Sequence, residues 1–151
     1  MPKKFDPKLK DTLLSKDRLD PYRLISLIPI LSHHIVVDVG CGPGYFTIPL
    51  AKYLFDGKVY ATDIQQEMLD YTQKSLENVR LSNVEIMLSK EKKLPLKKDS
   101  VDGALVSFVL QEATAPNALL KDIRRCLHKS GWMAILEWHK HEMEEGPPLD
   151  Q

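Results

Sequence analysis

Cysteine is scarce: Cys41 and Cys126 are the only two in 151 residues. They form no metal-ligand spacing, so a structural zinc site is excluded and a thiol-reducing cytoplasm is the compartment expected. Long hydrophobic runs are missing as well. No stretch approaches the roughly 20 apolar residues of a membrane-spanning helix, and the lysine-rich residues 1–10 lack the apolar core of a secretory signal. An excess of either charge sign is also absent. Lys plus Arg and Asp plus Glu each total 21, which leaves no electrostatic footprint for nucleic acid or an anionic membrane beyond a local patch. Repeats and low-complexity tracts do not occur. What remains is ordinary for a globular protein: 43% hydrophobic and 28% charged residues, in a length suited to one domain with a real core. Residues 1–151 are read as a single domain, with a loose N-terminal arm over 2–16 and a polar tail over 139–151.

Asp20-Pro21 has the form of an N-cap followed by proline at the first helical position. Tyr22, Leu24, Ile25, Leu27 and Ile28 are expected along one face of the short helix that follows. Residues 35–39 are β-branched and apolar around Asp38, the pattern of a strand buried on both faces. A helix over 45–55 follows, with Phe46, Leu50 and Leu54 inward and Pro49 near its first turn. Further strands are predicted over 58–62, 84–88, 101–108 and 132–138. Helices are predicted over 66–79, with Met68, Leu69, Leu76 and Val79 inward, and over 117–127. Lys129-Ser130-Gly131 reads as a turn into the last strand. Strands alternating with helices imply right-handed crossovers and a parallel sheet covered on both faces, an α/β domain.

Asp38-Val39-Gly40-Cys41-Gly42-Pro43-Gly44 lies where the first strand meets a helix. Glycines there permit a sharp turn and close approach of a ligand, and the helix beyond offers free N–H groups. A purely structural tight turn is the alternative. A dinucleotide fingerprint fits poorly, because bulky Tyr45 occupies the position that wants a small residue, and no Gly-Lys-Ser/Thr ending makes a P-loop. Asp38, on a buried strand, needs a partner. It can hydrogen-bond the turn amides, reach the cationic amino group of an amino-acid-like ligand, or only brace the turn. Asp63 closes the second strand about twenty residues on, a position suited to accepting both hydroxyls of a ribose; a solvated acid at a strand end is the plainer alternative.

Val37-Asp38-Val39-Gly40-Cys41-Gly42-Pro43-Gly44-Tyr45-Phe46 resembles motif I of the class I S-adenosylmethionine-dependent methyltransferases. The likeness continues through Tyr60-Ala61-Thr62-Asp63-Ile64 and residues 94–102. It is closest to the ubiquinone/menaquinone-biosynthesis-like branch, methyltransferase type 11. The resemblance implies a Rossmann-like, doubly wound parallel sheet and a methyl transfer from S-adenosylmethionine, leaving S-adenosylhomocysteine, to a small-molecule acceptor. It places Gly40, Cys41, Gly42, Gly44 and Tyr45 around the methionine part of the cofactor, with Asp38 beneath. Asp63 falls on the ribose, Ile64 on the adenine, Ser89 and Glu91 at the adenine edge, and Ser107, Phe108 and Gln111 at the methyl end. A non-catalytic cofactor-binding or partner subunit is the alternative function.

Two features depart from the family pattern. Lys90 occupies the slot after strand three where an acidic residue is usual, with Glu91 next. The sheet has five strands and lacks the usual C-terminal antiparallel pair, so strand five is expected as an exposed edge open to self-association. The sulfonium is already activated, so a general base is needed only if the acceptor must lose a proton, and no catalytic residue is assigned. His139, His141 and Glu142 read as a solvated strand end, His33-His34 as a loop pair, and Cys126 as core. Lys90, Lys92, Lys93, Lys97 and Lys98 carry no interleaved aromatics and read as a solvated loop.

Overall fold

The computed structural model describes residues 20–137. In chain order its elements are α1 (Pro21–Leu27), β1 (Ile35–Val39), α2 (Thr47–Tyr53), β2 (Lys58–Asp63), α3 (Gln66–Val79), β3 (Val84–Leu88), β4 (Val101–Ser107), α4 (Pro116–Cys126) and β5 (Leu127–Leu136). The five strands form one parallel sheet in the order β3-β2-β1-β4-β5. The chain winds outward from β1 to β3, then returns to the other side of β1 for β4 and β5. The reversal falls between β1 and β4, and in open sheets of this kind ligands bind outside the carboxyl ends of the strands at such a point.

Period-two alternation along β1 splits the core into two layers. Val36 joins Ile25, Phe46, Leu50, Leu54, Val59 and Leu105 on the face covered by α1 and α2. Ala61 and Leu69 continue that face beneath α3. Val37 and Val39 point the other way, against Leu119, Ile123 and Cys126 of α4 and Leu94 of the long β3–β4 connection. Helices on both faces make the doubly wound α/β arrangement expected, and Cys126 is core.

Three local expectations are corrected. Ile25 is buried, but Leu27 is 76% exposed and Tyr22 53%, because two residues of helix place Leu27 about 200° round from Ile25. In α3 the buried stripe is Met68, Leu69, Thr72 and Leu76, whereas Val79, the last helical residue, is 39% exposed. Lys129-Ser130-Gly131 lies inside β5 as an irregularity: Val101 pairs with Leu127 while Gly103 pairs with Trp132. Beyond the irregularity the Trp132 indole lies against Gly103, where any Cβ would overlap its ring. The Asp20 cap is as expected, its Oδ1 accepting the Tyr22 N–H at 3.0 Å. The arm over 2–16, the tail over 139–151 and the His139, His141, Glu142 group lie outside the described residues.

Candidate functional site

The carboxyl ends of β1, β2 and β4 meet around the glycine turn. Gly40, Gly42 and Gly44 all have positive φ, +65°, +55° and +93°, a region that costs other L-residues about 1–2 kcal/mol. Their surroundings differ. A Cβ on Gly40 would overlap a Val109 methyl, one on Gly44 would crowd Thr72, and one on Gly42 would meet nothing within 4 Å. Gly40 and Gly44 are therefore small because protein packs on them, and Gly42 borders open space.

The Gly42 peptide is held at both ends. Its N–H donates to Asp63 Oδ2 at 3.0 Å, and its carbonyl accepts the Thr72 hydroxyl at 2.8 Å. Asp63 Oδ1 accepts the Gln65 N–H at 2.9 Å. Burial raises the Asp63 carboxyl above its ordinary range, and the N–H bonds from Gln65 and Gly42 oppose that rise. Each Asp63 oxygen keeps a lone pair for a further donor.

Asp38 is fully buried beneath the turn. Its partner is the Thr47 hydroxyl of α2, which donates to Oδ2 at 2.7 Å. Oδ1 has no hydrogen-bond partner. Burial pushes the carboxyl up to about 7; the Thr47 bond pulls it down, and the nearby Asp63 charge adds to the rise. A buried oxygen left in this state is uncommon, since buried polar groups are almost always paired. Cys41 is buried beside Asp38 and Asp63, and burial drives its thiol further from ionising, which removes it as a nucleophile at neutral pH.

The remaining expected residues fall on the rim. Ile64 follows Asp63 directly and is 37% exposed. Ser89 donates its N–H to the Asp63 carbonyl at 2.8 Å, and its hydroxyl donates to the Lys90 carbonyl at 2.9 Å. The side chain thus builds the loop it sits in. Glu91 is engaged by Thr114, at the foot of α4. Ser107 ends β4, and Phe108 follows with a left-handed φ of +57° while its N–H donates to the Leu136 carbonyl at 2.9 Å. Such a conformation in a bulky residue is a true outlier. Gln111 and Tyr45 are half-buried nearby in sequence, Gln111 in the turn after Phe108 and Tyr45 just ahead of α2. Lys90, Lys92, Lys93, Lys97 and Lys98 are exposed, as read from the sequence. His33 and His34 form a turn before β1, and His34 Nδ1 accepts the Leu31 N–H at 3.2 Å.

Sequence reasoning missed Thr47, Thr72, Val109 and Thr114. Thr72 carried a signal, since it falls four residues from both Met68 and Leu76 on the inward stripe. That Asp38 needs a partner was also legible, but the sequence pointed to the turn amides or a ligand and not to the Thr47 hydroxyl.

Comparison with known proteins agrees with this geometry. A family model described as a methyltransferase domain matches residues 37–135. The crystal structure of a SAM dependent methyltransferase from Aquifex aeolicus is 34% identical with a TM-score of 0.89, over 97% of this chain and 80% of that one. The demethylmenaquinone methyltransferase of Bacillus mycoides is 30% identical over 67% of this chain and 43% of its own length. The ubiquinone/menaquinone biosynthesis C-methyltransferase of Escherichia coli O1:K1 is 29% identical over 72% of this chain and 44% of its own. The chain spans about two fifths of the length of the curated relatives it matches.

Proposed function

The chain belongs to the class I S-adenosylmethionine-dependent methyltransferase family, and from that premise we propose that it moves a methyl group from S-adenosylmethionine to a small-molecule acceptor. The observation that carries this reading is the unshared Asp38 Oδ1, buried under a glycine turn whose middle glycine borders open space. An amino-acid ammonium is the partner that such an oxygen lacks, received directly or through one water. Asp63 supplies the second anchor, accepting ribose hydroxyls while the Gly42 and Gln65 amides hold its orientation. Ile64 offers an apolar contact for the adenine. Ser107 and Phe108 stand at the end of β4, where the methyl group is delivered.

The bound cofactor supplies an activated sulfonium methyl, so the chain's part is to bind, align and exclude water. A proton acceptor is needed only when the methylated atom must lose a proton. The small-molecule class draws its support from the likeness to the two quinone-pathway enzymes.

Calorimetric titration with S-adenosylmethionine and S-adenosylhomocysteine tests the reading, with Asp63→Ala in parallel. One-site binding that the variant weakens by at least about tenfold is expected, because each charge-assisted bond contributes about 1.5–3 kcal/mol. An acceptor screen with methyl-labelled cofactor then separates enzyme from partner subunit. Tight binding with no turnover on any acceptor favours the subunit. Folded wild-type protein that binds neither compound overturns the proposal.

A further inference from the structure

Two loops rim the carboxyl edge of the sheet, 89–93 after β3 and 108–115 after β4. The first is a tight turn: Ser89 N–H donates to the Asp63 carbonyl, Ser89 Oγ to the Lys90 and Lys93 carbonyls, and Lys90 N–H to the Lys93 carbonyl at 3.2 Å. Its start is thus fastened to the strand end that carries Asp63, and Glu91 stands at its tip. The second loop is anchored on the glycine turn. Val109 packs where a Gly40 Cβ would be, and its carbonyl accepts the N–H groups of Glu112 and Ala113 at 3.1 Å each.

One carboxylate oxygen, accepting two hydrogen bonds, joins these two anchored loops. Glu91 Oε1 accepts the Thr114 backbone N–H at 2.8 Å and the Thr114 hydroxyl at 2.5 Å, from 23 residues away in sequence. Those donors, the hydroxyl foremost, hold the Glu91 carboxyl below its ordinary range. The family's acidic position after β3 is Lys90 here, so the following carboxylate is committed to protein rather than standing free.

We propose that Glu91 and Thr114 form a clasp that positions the two rim loops over the cofactor site, so that Glu91 acts through Thr114 and not by its own contact with the adenine. The inference rests on the cofactor reading above. The clasp spans the β3 and β4 loops, so it fixes the Asp63 side of the site relative to the Phe108 side. A site held in its binding geometry loses less freedom when ligand enters, which strengthens binding without adding a contact. Glu91 and Thr114 are positioning residues in this role.

The test measures S-adenosylhomocysteine affinity and dissociation rate for wild type, Glu91→Ala, Thr114→Val, the double variant and Glu91→Gln. Thermal midpoints and Thr114 amide exchange are followed in the same proteins. Glu91→Ala, which removes both bonds, is expected to weaken binding about three- to tenfold, mainly through faster dissociation, and Thr114→Val, which keeps the backbone N–H on Glu91, to weaken it less, both with midpoints near wild type. The double variant is expected to match Glu91→Ala, since that change already removes both bonds. Glu91→Gln, which keeps the accepting oxygen, is expected to restore most of the affinity and the slow Thr114 amide exchange. Loss of affinity in Glu91→Ala with Thr114 amide exchange unchanged would place Glu91 on the cofactor itself and overturn the clasp. Wild type that binds while every variant matches it removes the positioning role alone. Wild type that binds nothing removes the cofactor reading and the clasp with it.

Discussion

The glycine turn and the rim loops border the same site but are built in opposite ways. Around the turn, Asp38, Thr47, Thr72 and Asp63 are all buried and connected by side-chain bonds to the turn or to one another. The rim loops are half-buried or exposed throughout, and among the described residues the Glu91 carboxylate on Thr114 is the side-chain link between them. On the proposed reading, the turn that would hold the cofactor is over-determined, and the loops around it are lightly held. This division fits a fold that keeps one cofactor and changes acceptors through its loops.

Within the turn itself the three glycines sharpen the contrast, because packing surrounds one and open space another. Gly40→Ala combines a left-handed strain with overlap on Val109, and is expected to lower stability by about 2–5 kcal/mol; chemical denaturation reads this directly. An unchanged midpoint would show that the turn is less constrained than its contacts imply. Gly42→Ala meets no atom and carries only the strain, about 1–2 kcal/mol. It is expected to fold while losing far more cofactor affinity than stability, as measured by calorimetry beside a melting curve.

Asp38 sets the next largest effect, through pH. Its folded-state carboxyl titrates at about 7, above the unfolded 3.8, so the folded protein holds a proton that the unfolded chain releases. That contribution to stability is fully present below about pH 4 and is lost as pH rises through about 7, at a slope of up to about 1.4 kcal/mol per pH unit. Asp38→Asn is expected to flatten this part of the stability–pH curve. Cofactor affinity should run the other way, rising toward pH 7 as the carboxylate becomes available to an ammonium. Proton release measured in buffers of different ionisation enthalpy checks it, and no release at pH 6.5 would detach Asp38 from the ligand.

The smallest effect belongs to β5, an edge strand of the sheet whose Ile135 is 48% exposed. If copies of the chain pair there, Ile135→Lys shifts the mass seen in light scattering toward monomer while stability moves by about 0.5 kcal/mol or less. A mass that is monomeric at every concentration in wild type removes self-association at this edge.

How far the sequence could be read follows the same contrast. The strand runs over 35–39 and 84–88 and the helix over 66–79 match the structure, because their period and flanking residues are local. Asp38, Asp63 and the three glycines were legible as a constellation since they fall at or just past the ends of two strands at a set spacing. The partners were not. Thr47 under Asp38, Val109 against Gly40 and Thr114 on Glu91 are meetings of distant segments that no local pattern encodes. The irregularity in β5 was hidden for the same reason, since it shows only in the pairing of β5 with β4. Phe108 was expected at the site, but nothing in its neighbours announced a left-handed backbone there.

Strand β1 lies at the centre of the sheet, with one edge paired to β2 and the other to β4, where Val36 meets Gly103. The Asp102 carboxylate also accepts the Ile35 N–H at 2.7 Å, across 67 residues of sequence. During synthesis, therefore, this central strand can gain its first neighbour early and its second only after β4 has been made. At about 5–20 residues per second that interval is on the order of several seconds. Throughout it the nascent chain carries a bare hydrophobic strand edge, the kind of surface that chaperones shield and that seeds aggregation.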